Sequence, residues 1–236
     1  MTGMNTFRLH RPANLKDAVE LLPSGRGTDE HKRARVLAGG QDLLGEMKER
    51  LVEPESLIDL AALAQEQPEL TAIREADGGL HLGALVTLRE LERSDSLGGA
   101  FRVVGEAAAS VGSPQIRSAG TLGGNLCQRP RCWYYRSEHA PCLKKGGAEC
   151  FSYTGKNKYN AILGGGPSYI VHPSDLAPAL VALGAEVDIL GQRGQRSMEL
   201  ERFFTLPTEG SVLRENVLAT DEVVTGVRLP APSAGL

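Results

Sequence analysis

The sequence predicts an α+β fold of two α/β subdomains, with a long cysteine-containing loop inserted in the second. Strand-like and helix-like patterns alternate through residues 1–62, and they alternate again after the polar stretch Gln65–Pro68. Residues 112–168 are rich in Gly, Pro and Cys and have almost no periodicity, which is unusual for a loop without a function. We therefore expect one subdomain at 1–62 and a second at 63–236, with the cysteine loop at about 126–168.

Composition and charge exclude several classes of protein. The chain has 236 residues, 41% of them hydrophobic and 23% charged, which is typical of a globular protein with a real core. A net charge of -3 gives no reason to expect nucleic acid as a partner. No apolar run is long enough to span a membrane, and the N-terminal residues lack the apolar segment of a signal peptide. By its own sequence we expect a cytoplasmic protein.

The first subdomain shows the order helix, strand, helix, strand. Asn14 is suited to cap the first helix, and the Gly39-Gly40 pair separates a short apolar strand from the next helix. The predicted elements are a helix from 15 ended at Pro23–Gly25, a strand at 35–38, a helix at 42–50 and a strand at 56–60.

The second subdomain shows more strands than helices. Thr87 followed by Glu90 forms a capping-box signature before a short helix. The other predicted elements are strands at 79–85, 169–172, 185–190 and 223–229, a helix at 101–111 ended by Gly112-Ser113-Pro114, and a capped helix at 174–183.

Two glycine turns are candidates for binding a phosphate group. A strand followed by Gly39-Gly40 and a helix start presents free backbone N–H groups to one point, and residues 121–125 repeat this pattern. Taken singly, each is more often an ordinary turn. The chain lacks GxGxxG and GxxxxGK[ST], which argues against a Rossmann or P-loop site. Two such turns in one chain favour a dinucleotide bound from both sides.

Five segments in order resemble the FAD-binding (medium) subunit of molybdenum hydroxylases, of the xanthine dehydrogenase and aldehyde oxidoreductase type. They are VLAGGQDLLGEMKER, LVEPESLIDLAAL, LHLGALVTLREL, QIRSAGTLGGNL and VHPSDLAPALVALGAEV. The resemblance covers nearly the whole chain. It implies the FAD-binding PCMH (vanillyl-alcohol-oxidase-like) fold, with the flavin between the two subdomains. Members continue past Leu229-Pro230 into a third subdomain, so the chain resembles a truncated or split subunit, with FAD affinity reduced accordingly.

The same resemblance implies which residues contact FAD. Asp175 has an equally weighted alternative as a helix-start residue beside Ser174. Gln41 stands where the family more often has Thr, His or Asn, which matters little if backbone N–H groups bind the pyrophosphate. The implied contacts are Val36, Leu37, Ala38, Gly39, Gly40, Gln41, Asp42 and Leu43 on the first turn, Thr121, Leu122, Gly123, Gly124 and Asn125 on the second, and Val111, Asp175 and Val224 elsewhere.

The four cysteines lie within 24 residues, in the pattern C-x4-C-x9-C-x7-C. Without an export signal, disulfides are disfavoured. Zinc ligands usually come in closer pairs, whereas an iron–sulfur cluster accepts irregular spacing. Basic residues between the cysteines suit an anionic cluster but equally a zinc ion held by thiolates. The run Trp133–Tyr135 either shields a cluster or plugs the loop. We expect a [4Fe–4S] cluster on Cys127, Cys132, Cys142 and Cys150.

The fourth ligand of that cluster is open. The loop resembles the cluster loop in flavin subunits of bacterial periplasmic aldehyde oxidoreductases, and the resemblance puts one cluster cysteine where this chain has Ser168. Cys127 takes that role, Ser168 ligates through oxygen, or the cluster is labile or three-iron. Cys127 is favoured because it is the only other thiol and lies near in sequence.

The resemblance implies an electron-transfer subunit with no catalytic residue of its own. Electrons would pass from a molybdenum-cofactor large subunit through a [2Fe–2S] small subunit to FAD here, and then to an external acceptor. Export in folded form with a partner would place it in the periplasm. One alternative is a zinc-stabilised interaction subunit without flavin chemistry, and another is a stand-alone FAD oxidoreductase.

Overall fold

The computed structural model describes residues 4–22, 32–207 and 212–232. The predicted helix stop at Pro23–Gly25 lies outside these residues. The described chain forms two sheets, one of three strands and one of five, with helices packed against both. This is the α+β architecture that the sequence predicts.

The smaller sheet is parallel, with its strands in the order β1-β3-β2. Its elements are β1 (Arg8–His10), α1 (Leu15–Glu20), β2 (Arg35–Leu37), α2 (Leu43–Lys48) and β3 (Ser56–Asp59). The Asn14 side chain caps α1 by accepting from the N–H of Asp17 at 2.9 Å, as predicted. Only β1 was not expected, because three residues are too few to show a period.

The larger sheet is antiparallel, in the order β4-β5-β8-β6-β7. Its strands are β4 (Ile73–Ala76), β5 (Gly79–Gly83), β6 (Glu186–Gly191), β7 (Gly194–Glu199) and β8 (Glu222–Leu229). Leu82, Val227 and Val187 lie opposite one another on three adjacent strands and are fully buried. That apolar face is the floor of the larger hydrophobic core.

Helices cover this face. They are α3 (Leu88–Arg93), α4 (Arg102–Ser110), α5 (Pro114–Ala119), α6 (Leu122–Leu126) and α8 (Leu176–Ala182). The predicted capping box of α3 is present, since Thr87 Oγ1 accepts from the N–H of Glu90 at 3.2 Å and the Glu90 carboxylate accepts from the N–H of Thr87 at 2.7 Å. All but α5 bury apolar side chains completely or nearly so.

Two expectations for the middle of the chain are wrong. Residues 112–168 are not without regular structure, because α5, α6 and the four-residue α7 (Trp133–Arg136) lie there. The strand predicted at 169–172 is absent from the structure. Prolines flank it at 167 and 173, and Tyr169 bonds within the loop, accepting from the Ala161 N–H at 2.9 Å and donating to Cys150 Sγ at 3.4 Å.

Apolar side chains from both halves of the chain meet in one cluster. Val19 and Ile58 of the smaller sheet's layer pack with Leu70, Leu85 and Val223 of the larger unit, and all five are buried. The predicted boundary near residue 62 falls between the two sheets and stays a prediction. Among the described residues there is no helix with the length and apolarity needed to cross a bilayer.

Candidate functional site

A cleft of about 640 Å³ lies where the smaller sheet meets the larger unit. That volume is in the range of sites for large organic ligands. Both glycine turns line it, together with the isolated positions that the sequence predicts. The predicted residues on its wall are Val36, Ala38, Gly39, Gly40, Gln41, Asp42, Leu43, Val111, Thr121, Gly123, Gly124, Asn125, Asp175 and Val224.

The two other predicted contacts point elsewhere. The Leu122 side chain is fully buried in the larger core, and Leu37 packs against a small cluster with Met47, Val52 and Leu57. The side chains of consecutive residues cannot all point into one cleft. These two leucines instead point away from it and pack in the hydrophobic clusters behind the turns. A ligand contact from either side chain is therefore not expected.

The first turn offers unengaged backbone donors. Gly39, Gly40, Gln41 and Asp42 all line the cleft, and none of their N–H groups donates to another group among the described residues. Gly40 has φ +69°, a left-handed conformation that strongly favours glycine. Four successive free N–H groups suit an anion such as a diphosphate.

The second turn differs from this expectation. Its N–H groups at 122 and 123 donate to the carbonyls of Val86 and Ala84, each at 2.8 Å. Those at 124 and 125 donate to the Thr121 hydroxyl and carbonyl at 3.2 and 2.8 Å. The expectation of free donors thus holds for the first turn only. The second turn presents to the cleft the smooth surface of its glycines and the side chain of Asn125, whose Oδ1 accepts from Ser174 Oγ at 2.5 Å.

Gly39 joins the two turns. A Cβ atom placed there would lie 1.8 Å from the carbonyl oxygen of Ala119, at the end of α5. Backbone therefore meets backbone directly, and no side chain fits between the first turn and the segment that leads into the second. Gly39 serves the close approach of two parts of the protein, beside any approach of a ligand.

Ser174, and not Asp175, caps helix α8. The Ser174 hydroxyl accepts from the N–H of Ala177 at 3.0 Å, whereas Asp175 makes no side-chain cap. The Asp175 carboxylate is exposed on the cleft wall. Of its two interpretations, the capping role therefore belongs to its neighbour, and the cofactor contact stays a prediction.

Asp42 connects the first turn to the cysteine loop. Its carboxylate, only 17% exposed, accepts from the N–H of Arg129 at 2.6 Å, from Arg136 Nη2 at 2.7 Å and from Arg131 Nη1. Burial by itself would raise the pKa of Asp42, but the Arg136 and Arg131 guanidiniums and the Arg129 N–H outweigh it and hold that pKa below its usual value. Asp42 is thus a fixed anion at the edge of the turn.

A buried polar chain continues from there into the protein. Tyr135 donates to Glu46 Oε1 at 2.6 Å and accepts from Arg129 Nε at 3.0 Å. Arg129 Nη1 lies 3.0 Å from Glu215 Oε2, and Lys144 Nζ lies 2.7 Å from Glu215 Oε1. Burial raises the pKa of Glu46 and lowers that of Lys144, although each has a partner that opposes the shift. Glu46, Arg129 and Glu215 reach the cleft wall.

The four cysteines do not converge. Cys127 packs against the larger core at the end of α6, whereas Cys132 and Cys142 lie in a separate cluster with Tyr135 and Phe151. Within the described residues no three His, Cys, Asp or Glu side chains are arranged to hold a metal ion, and all four cysteines are free. Burial raises the pKa of the Cys127 thiol to about 12, which disfavours the thiolate that a metal requires. The arrangement does not fit a cluster held by these four thiols.

The backbone next to Ser168 contacts one of the loop's thiols. Ser168 is 1% exposed, and the N–H of the next residue, Tyr169, donates to Cys150 Sγ at 3.4 Å. The prediction of Cys127 as the fourth ligand rests on its nearness in sequence. Helix α6, however, places the Cys127 sulfur in a different core from Cys132 and Cys142.

The fold and the cleft define a flavin-binding subunit of the molybdenum hydroxylase type, and the comparison with known proteins names the family. Residues 5–232 match the family described as FAD binding domain in molybdopterin dehydrogenase, and the chain belongs to it. The predicted resemblance is thereby confirmed.

Individual relatives agree. The chain is 34% identical over 238 residues to the aldehyde oxidoreductase FAD-binding subunit PaoB of Escherichia coli, covering 100% of this chain and 70% of that one. It is 30% identical to the nicotinate dehydrogenase FAD-subunit of Eubacterium barkeri, over 98% of this chain and 60% of that one. The structure of reconstituted CO dehydrogenase from Oligotropha carboxidovorans superposes with a TM-score of 0.67 at 26% identity, over 99% of this chain and 62% of its own. The chain thus spans between about three fifths and seven tenths of the length of these relatives.

Replacing Gly39 by Ala should strongly destabilise the protein, because the added carbon must push the turn away from Ala119. We expect a loss of about 2–4 kcal/mol in the free energy of unfolding, comparable with other strained or overpacked sites. Urea unfolding followed by circular dichroism measures it. Gly105→Ala is the control, since Gly105, like Gly39, is not in a left-handed conformation and its Cβ would meet neighbouring atoms only at 3.6 Å or more. An equal loss in both variants would contradict the close-contact explanation.

Stability should fall on acidification because His172 is held neutral. Burial lowers the pKa of His172 from 6.5 to about 4, so the unfolded chain takes up a proton between these values that the folded protein does not. The folded state should lose about 2 kcal/mol from this residue between pH 7 and pH 5. Urea midpoints of wild type and His172→Asn at both pH values isolate the effect. Asn retains an acceptor for the N–H of Ser174, which His172 Nδ1 accepts at 3.3 Å. An equal loss in both proteins would refute it.

Proposed function

We propose that this chain is the FAD-binding, electron-transferring part of a molybdenum-containing hydroxylase or dehydrogenase. The observation that carries the proposal is the cleft lined by both glycine turns, the first of which has four N–H groups, at 39–42, that donate to no group among the described residues. Free donors in a row match the diphosphate of a dinucleotide. Family membership supports FAD as that dinucleotide.

Each wall of the cleft would have its own task. The turn at 39–42 would hold the diphosphate through its backbone. The second turn, with its donors already engaged, would support FAD by contact with Gly123 and Gly124 and through the Asn125 side chain. Apolar residues such as Val36, Leu85 and Val224 line the same wall and would keep water from the flat parts of the cofactor. Bound FAD supplies the redox chemistry, accepting electron pairs and releasing them to an acceptor.

The partners in this proposal are a molybdenum-cofactor large subunit and a [2Fe–2S] small subunit. The names of the relatives support a multi-subunit setting, since they include a "FAD-binding subunit" and a carbon monoxide dehydrogenase "medium chain". The organic substrate would be oxidised on the large subunit, so this chain needs no catalytic acid or base. A stand-alone FAD oxidoreductase is the competing proposal, and co-purification with two further subunits would exclude it.

FAD binding itself is tested at Gly40. Gly40→Ala forces a side chain into a left-handed backbone within a row of diphosphate donors, so FAD affinity should fall at least ~10-fold, about 1.4 kcal/mol. Quenching of FAD fluorescence on titration measures it. Gly99→Ala is the matched control, because Gly99 also has a positive φ (+55°) but lies outside the cleft. Wild-type protein that neither contains nor binds FAD would refute the proposed function.

For the cysteine loop we propose an iron–sulfur cluster on Cys132, Cys142 and Cys150, whose thiols would have to move together on metal binding because no three of them are arranged to hold a metal among the described residues. As-isolated protein should contain iron with acid-labile sulfide, and Cys142→Ser should lose it. Cys127→Ser is the control and should keep its iron, because Cys127 lies in the other core. Quantitation of iron, sulfide and zinc distinguishes the iron–sulfur proposal from the alternative. Stoichiometric zinc favours a zinc-stabilised interaction subunit, and protein without any metal contradicts both the cluster and the zinc site.

A further inference from the structure

Asp42 poses an electrostatic problem for the cleft. It is the last of the four residues whose free N–H groups are suited to a diphosphate, and its carboxylate lies on the same wall. A fixed negative charge beside an anion site repels the anion, and burial makes this repulsion stronger than it would be in water. An anion can bind here only if the charge of Asp42 is offset.

In the described part of the chain, the offset comes from one segment of the cysteine loop. Arg131 and Arg136 both contact Asp42 Oδ1, and the backbone N–H of Arg129 donates to Oδ2 at 2.6 Å. Two guanidiniums therefore face the single negative charge of Asp42. Arg136 also lies 3.6 Å from the more exposed carboxylate of Glu49, so the edge of the turn is close to neutral.

The two arginines are held in place by groups of their own loop. Arg136, only 13% exposed, also donates from Nε to the carbonyl of Pro130 at 2.8 Å and from Nη2 to that of Arg129 at 3.2 Å. Arg131 Nη2 donates to Gln128 Oε1 at 2.9 Å. Side chains fixed by their own loop lose little conformational entropy on binding.

We propose that Arg131 and Arg136 are positioning residues for the diphosphate of FAD, acting by neutralising Asp42 so that the N–H groups at 39–42 can accept the anion. This rests on the proposed function. It makes the cysteine loop a part of the FAD site, independently of any metal bound to its thiols.

The test distinguishes a charge effect of the arginines from a structural one by removing the charge of Asp42 as well. In the full chain, Arg131→Gln/Arg136→Gln should weaken FAD binding at least ~10-fold because Asp42 is left uncompensated. Adding Asp42→Asn to that double variant should restore most of the affinity, because the charge that the arginines offset is then gone. The loss in the double variant should also shrink as salt is raised. Arg202→Gln is the control, since Arg202 pairs with Glu199 on the exposed surface.

Each outcome decides. Wild type that fails to bind FAD refutes the proposed function and this inference together. Wild type that binds, with a folded double variant that binds equally well, refutes only the inference. A triple variant no better than the double one shows that the arginines act as a structural clamp, which also refutes it. If circular dichroism shows that the double variant is unfolded, the single Arg131→Gln, whose side chain is half exposed, should show the same loss and the same rescue.

Discussion

The carboxylate of Asp42 is the point through which three parts of this protein are joined. It ends the first glycine turn, it begins the helix that follows, and it receives three donors from the cysteine loop. Charge-assisted bonds of this kind are stronger than neutral ones when they are partly buried. These bonds join the cysteine loop to the turn at the edge of the cleft, beside the buried polar chain that also holds the loop.

The buried chain from Glu46 through Tyr135, Arg129 and Glu215 to Lys144 extends this dependence. Each member is bonded to the next, so removing one would take a partner from a buried polar group. A polar chain of this kind holds the cysteine loop in a single conformation, although the loop has little regular structure. A bound metal would then be an addition to a loop that is already ordered, and not its only support.

Sequence reasoning located the cleft well because its determinants are local. A strand, two glycines and a helix start are readable in eight residues, and the caps at Asn14 and Thr87 are readable in four. The network at Asp42 was not readable, since Arg136 is 94 positions away in the chain. The close contact of Gly39 was hidden for the same reason, because Ala119 is also far from it in the chain. The prediction of free donors was wrong for the second turn. Nothing in the sequence Thr-Leu-Gly-Gly-Asn shows that the carbonyls of Val86 and Ala84 already accept from two of its N–H groups.

The contact between Gly39 and the Ala119 carbonyl has a consequence for how the cleft is filled. Backbone atoms in van der Waals contact cannot be compressed further, and neither turn carries a side chain here that could rearrange. The first turn and the segment that leads into the second therefore cannot move closer together at this point when a ligand binds. Any closing of the protein around its ligand has to come from the other walls of the cleft.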